Sequence, residues 1–142
     1  MATFTELREA LAAVIERGRI DGLTVLSRRP GTVPVLPAVW PQPASAQYAI
    51  PTDKRGLDVY EVRLIIAVSM ADLDLAQHQM DSLLAKRGEY SIRALIKADP
   101  HLGLGDSTTA WVDSLTYGTD AFPGLAQDVL GATLHVQVRT DA

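Results

Sequence analysis

One stretch, Leu57 to Gly88, constrains the fold more than any other. From Asp58 to Met70 every second residue is apolar: Tyr60, Val62, Leu64, Ile66 and Val68. The other register, from Leu57 through Glu61 and Arg63 to Ser69, is mixed. Side chains alternate across a strand, so this pattern predicts a long strand with one buried face and one half-wet face. Asp72 then offers an N-cap oxygen to a new helix. Leu73, Ala76, Gln77, Met80, Leu83 and Leu84 follow at helical spacing and predict its buried stripe. Lys86 and Arg87 are expected in its last turn, where the dipole favours cations, with Gly88 as the stop. A period of 2 gives way to 3.6 within a few residues, and the rest of the chain must pack around that joint.

The N-terminal segment predicts an amphipathic helix. Thr5 is its expected cap, with Arg8 where a capping box would place Glu or Gln. Phe4, Leu7, Leu11, Val14 and Ile15 form the apolar stripe, and Gly18 ends it. Leu23 to Leu26 predicts a short strand, and Arg28 and Arg29 read as solvated surface. Six of the eight prolines then fall between Pro30 and Pro51. Proline cannot donate to a ladder, so this region predicts extended chain and edge strand rather than sheet centre. Val35 to Trp40 and Gln47 to Ile50 are the expected strands. With the turn-rich Pro51 to Gly56 they predict a hairpin arm leaving the domain. Trp40 and Tyr48, in a chain only 6% aromatic, are candidate contacts with another subunit, together with Thr52, Asp53, Lys54 and Arg55 at the tip.

Tyr90 to Asp99 predicts a second helix, capped by Ser91 and ended by Asp99-Pro100. Ala110 to Tyr117 predicts a strand with Trp111, Leu115 and Tyr117 on one side and Val112 on the other. Gly131 to Arg139 closes the chain as a half-buried strand: Ala132, Leu134, Val136 and Val138 alternate with Thr133, His135, Gln137 and Arg139. The expected fold is α+β: a mostly antiparallel sheet with helices on one face, in a single domain over 1–142. The terminal strand is expected to offer an open edge, which adds His135, Gln137 and Arg139 to the candidate interface.

Composition narrows function by exclusion. The net charge is −4, so a sequence-reading nucleic-acid binder is not expected. There are no cysteines, which removes thiol catalysis and thiolate metal sites. The longest apolar run, Leu64 to Val68, is too short to span a bilayer, and no signal peptide is seen, so a cytosolic product is expected. His78, His101 and His135 are not at ligand spacing. His78 follows Asp74 by one helical turn, and His135 can meet Asp113 across a hairpin. No serine sits in a nucleophile elbow. Gly103 and Gly105 lack the rest of a phosphate loop. Asp72, Asp74 and Asp81 lack a calcium-loop pattern. No catalytic, cofactor-binding or metal residue is therefore expected, and no enzymatic activity.

The segments together resemble a known family. The N-terminal amphipathic helix, the proline-rich Pro34 to Pro43 and Gly56-Leu-Asp-Val-Tyr60 leading into a long strand are similar to tail-terminator proteins of long-tailed (siphovirus-type) bacteriophages. So are Ala71 to Leu84, Ser91-Ile-Arg-Ala-Leu95 and Leu130 to Val138. That group is related to minor tail and head–tail joining proteins. The resemblance covers nearly the whole chain and implies a homo-oligomeric ring, commonly a hexamer, in the virion. The implied ring caps the tail tube protein, ends tube polymerisation and meets a head-completion or connector protein. Genomic DNA would pass its lumen unread, and an acidic chain suits that passage. Two alternatives stand beside it: a neck, head-closure or tail-completion protein, and a small cytosolic α+β ligand-binding domain with a pocket under the proline-rich arm.

Overall fold

The long strand β3 (Leu57–Ser69) lies at the middle of a five-stranded sheet in the computed structural model. The structure describes residues 3–28, 30–31, 35–48, 57–105, 107–117 and 129–141. The other elements are α1 (Phe4–Arg17), β1 (Thr24–Val25), β2 (Ala38–Gln47), α2 (Leu73–Leu84), α3 (Ile92–Ala98), β4 (Thr108–Tyr117) and β5 (Val129–Asp141). Strand order is β1-β2-β3-β5-β4. β1 pairs parallel with β2, and every other pairing is antiparallel. The α+β class is therefore the observed one.

The register explains the core. Tyr60, Val62, Leu64, Ile66 and Val68 of β3 share a face with Ala132, Leu134, Val136 and Val138 of β5, and all nine are buried. Leu7, Leu11, Val14 and Ile15 of α1, Ala76, Met80, Leu83 and Leu84 of α2, and Ile92 and Ile96 of α3 pack on that face. Burying a large aliphatic side chain stabilises by roughly 2 kcal/mol, so this helix-covered layer holds the fold. A second, smaller apolar cluster lies on the other face: Ala38, Trp40, Ile65 and Ala67, flanked by Leu26, Leu36 and Val129.

Several local expectations are corrected. The cap of α1 is Thr3, not Thr5. Thr3 Oγ1 accepts from the Glu6 amide at 3.2 Å, and Glu6 returns a bond to the Thr3 amide, so the capping box is complete. Gly18 ends α1 in right-handed conformation. Its smallness serves packing: a Cβ there would run into the Leu95 side chain. Asp72 caps α2 as expected, accepting from the Leu75 amide at 3.2 Å. The helix ends at Leu84, however, so Lys86, Arg87 and Gly88 lie beyond it. Leu73 is exposed and so is Gln77, because both sit on the flank that turns from the sheet.

Among the described residues the proline-rich segment holds one strand, β2, which starts inside the expected Val35 to Trp40 and reaches Gln47, where the second expected strand begins. β2 runs unbroken through Pro41 and Pro43 with a bulge before Ser45. The rest of the expected arm, 49–56, lies outside the described residues. The closing strand β5 is an interior strand between β3 and β4, not an edge. In β4 a bulge at Asp113 reverses the alternation. Trp111 pairs with Gln137 on the open face, whereas Leu115 and Tyr117 oppose Leu134 and Ala132 on the helix face, alongside Val112.

Candidate functional site

Among the described residues the three helices cover one face of the sheet, and the other face carries the polar register of its strands. A row of four side chains crosses it, one from each of β2, β3, β5 and β4. Ser45 Oγ donates to Glu61 Oε2 at 3.3 Å, and His135 Nδ1 lies 3.1 Å from Glu61 Oε1. His135 Nε2 lies 3.0 Å from Thr116 Oγ1. A carboxylate can only accept, so Nδ1 carries the proton toward Glu61. In the neutral ring Nε2 then accepts from the Thr116 hydroxyl. Further along the face the Arg139 guanidinium lies over the Trp111 ring, 5.6 Å from its centroid.

The row runs hydroxyl, imidazole, carboxylate, which is the order used by nucleophilic hydrolases. Here it lies on the face of a sheet, and neither the helix-side cavity nor the groove described below is lined by any of its members. What it provides is a fixed pattern of donors and acceptors. The expected His135–Asp113 pair does not form, because Asp113 is the extra residue of the bulge and Ser114 takes the place opposite His135.

The candidate interface residues therefore divide. His135, Gln137 and Arg139 lie on the open face rather than at an edge. Trp40 is fully buried in the second apolar cluster and presents no surface to a partner. Tyr48 is 70% exposed. Its ring stands edge-on to Tyr60, centroids 6.3 Å apart, and Tyr60 meets Phe4 at 5.0 Å. Burial, with Asp58 and Tyr48 nearby, pushes the Tyr60 hydroxyl above its ordinary pKa. Thr52, Asp53, Lys54 and Arg55 lie outside the described residues.

The two edges differ. On the β2 side, the Pro37 and Val39 carbonyls accept from Thr24 and Leu26 at 2.9 and 3.0 Å, so the odd-numbered positions point outward. Pro41 and Pro43 continue that outward row beyond the two residues of β1, and neither has an amide hydrogen to offer. On the β4 side, the Ala110 amide bonds outward to the Pro100 carbonyl at 2.7 Å, and the Thr108 carbonyl meets His101 Nδ1 at 2.7 Å. Alternation carries the outward direction to Val112. No proline interrupts β4, and Trp111, Leu115 and Tyr117 are exposed along it. At its far end the Tyr117 hydroxyl donates to Asp81 at 3.2 Å, and partial burial with this bond raises its pKa.

Of the hollows that adjoin these elements, two bear on function. One of about 270 Å³ lies between the β1 end and α2, lined by Ile20, Leu23, Pro37, His78, Leu83 and Tyr90 among others. The second, about 300 Å³, is a groove between α3 and the β4 edge, bordered by Lys86, Arg93 and Lys97. Lys86 is expected at the C-terminal dipole of α2, an assignment that hides this cluster. A count would have shown it, since four of the thirteen Lys and Arg residues fall between Lys86 and Lys97. Among the described residues no three His, Asp or Glu side chains gather as a metal-binding set, and no helix is long and apolar enough to cross a membrane. No protein-family model matches the chain, and no curated protein matches it.

Proposed function

We propose that this chain is a structural virion protein. Its copies form a ring at the head-proximal end of a phage tail, end tube polymerisation and present the surface for head–tail joining. The observation that carries the reading is the open sheet face, where Ser45, Glu61, His135 and Thr116 are joined across four strands. A hydrogen-bonded row of this kind, outside either cavity, suits contact with another protein surface. Tyr48, exposed where β2 ends, gives a second point of contact. The order of elements also follows the resemblance along the chain: amphipathic helix, proline-rich strand, long strand, helix, short helix and closing strand. Ring closure needs only a heterologous contact whose rotation closes. DNA would pass through the lumen without being read.

Electron micrographs of particles assembled without the protein test this. Overlong tubes are the expected result. Capped tails of normal length without heads would place it instead in the neck, as a head-closure or tail-completion protein. Normal, infectious particles lacking it would end both readings.

The helix-side cavity favours a second reading as a small ligand-binding domain. At about 270 Å³ it is just below the usual size of small-molecule sites. A stable monomer whose melting point rises with a metabolite would select that reading.

A further inference from the structure

We propose that the β4 edge and the basic groove beside it form a docking site for an extended acidic segment of a partner protein, which adds as a further strand to the sheet. The backbone is the first requirement. Strand addition needs an edge with free donors and acceptors, and among the described residues nothing pairs with the outer side of β4 from Val112 onward. The Pro100 carbonyl and His101 occupy its beginning at Ala110 and Thr108, so the entering strand starts beside Val112. The opposite edge is blocked by Pro41 and Pro43, which fixes the side of the sheet.

Charge selects the partner. The groove wall against β4 carries Lys86, Arg93 and Lys97, all exposed, over a floor that includes Ile96. Arg87 borders an adjoining surface hollow shared with Lys86 and Lys97. This positive cluster stands on a chain of net charge −4, and Glu89 is the one carboxylate in the sequence between Lys86 and Lys97. In an added strand, alternate side chains would face the groove. Carboxylates there would meet the three cations, and the apolar residues between them would lie on the open face beside Trp111. Negative charge at the other end, where Tyr117 holds Asp81, sets the direction: the acidic portion of the segment belongs at the Val112 end. A second copy of the chain and a nucleic acid are the competing occupants. Stacked bases and phosphates make no use of an open ladder, so the strand favours a peptide.

The test uses a fluorescent alternating valine–glutamate heptapeptide, with the valine–lysine peptide and a single-stranded oligonucleotide as controls. Anisotropy should show salt-sensitive binding of the glutamate peptide alone. Amide shifts in the isotope-labelled protein should fall on Val112 to Tyr117. Val112→Pro, which removes an outward amide, should weaken binding on the order of tenfold or more. Lys97 is exposed, so Lys97→Glu should weaken binding severalfold with circular dichroism unchanged. Equal binding of both peptides, preference for the oligonucleotide, or shifts located away from β4 would overturn the proposal. Concentration-dependent self-association abolished by Val112→Pro would also overturn it, by giving the edge to a second copy. The result is independent of the particle morphology that tests the ring.

Discussion

The two edges of the sheet solve the same problem in opposite ways. Both end a row of outward backbone groups that water alone would satisfy. On the β2 side, Thr24 and Val25 cover the first positions, and Pro41 and Pro43 remove the next outward donors. On the β4 side, among the described residues, the turn at Pro100 and His101 covers Thr108 and Ala110 and nothing covers the rest. Natural sheets blunt exposed edges because they recruit other chains. An edge left open opposite a blunted one marks the direction in which the sheet can grow. The difference arises from residue type, since proline makes a strand that can be paired on one side only.

The largest effect is expected where both edges depend on one strand. Leu64→Asp buries a charge between the α1–α2 layer and β5. It should destabilise by roughly 5 kcal/mol or more and unfold the domain. A soluble, cooperatively melting variant would mean that the buried face is misassigned. Trp40→Ala comes next. It empties the small cluster that anchors β2 and should cost about 3–5 kcal/mol by denaturant titration. A loss below about 1 kcal/mol would return Trp40 to the surface.

Replacing Pro41 and Pro43 together by Thr restores two outward amides and tests the blunting itself. Melting should move little, while light scattering should show concentration-dependent association. A variant as monodisperse as the parent would remove the role given to the prolines. The smallest effect is at Tyr117. Its pKa is raised above 10.0 in the folded chain, so the folded state keeps the proton that the unfolded chain releases. That contribution is complete below pH 10.0 and is lost as pH rises through the folded value. Tyr117 is 55% exposed, so Tyr117→Phe should flatten only a slight alkaline decline in stability. An unchanged alkaline limb would show that the bond to Asp81 contributes nothing.

Much of this architecture was legible in local pattern. The strand period over 58–70, the caps Asp72 and Ser91, and the alternation of 132–138 each express a rule that acts within a few residues, so the chain states them directly. The single sheet with helices on one face follows from those elements. The same sequence determined that β2 could be paired on only one side at Pro41 and Pro43, because proline carries its missing donor wherever it lies. It did not determine which strand lay beside which. Strand order is set by long-range pairing, and it put β5 inside the sheet and left β4 at its edge. One bulged residue, Asp113, turned Trp111 away from Leu115 and Tyr117. The meeting of Ser45, Glu61, His135 and Thr116 and the gathering of Lys86, Arg93 and Lys97 beside Val112 belong to tertiary structure as well. Contacts between residues far apart in the chain depend on register and packing, and no local period encodes either.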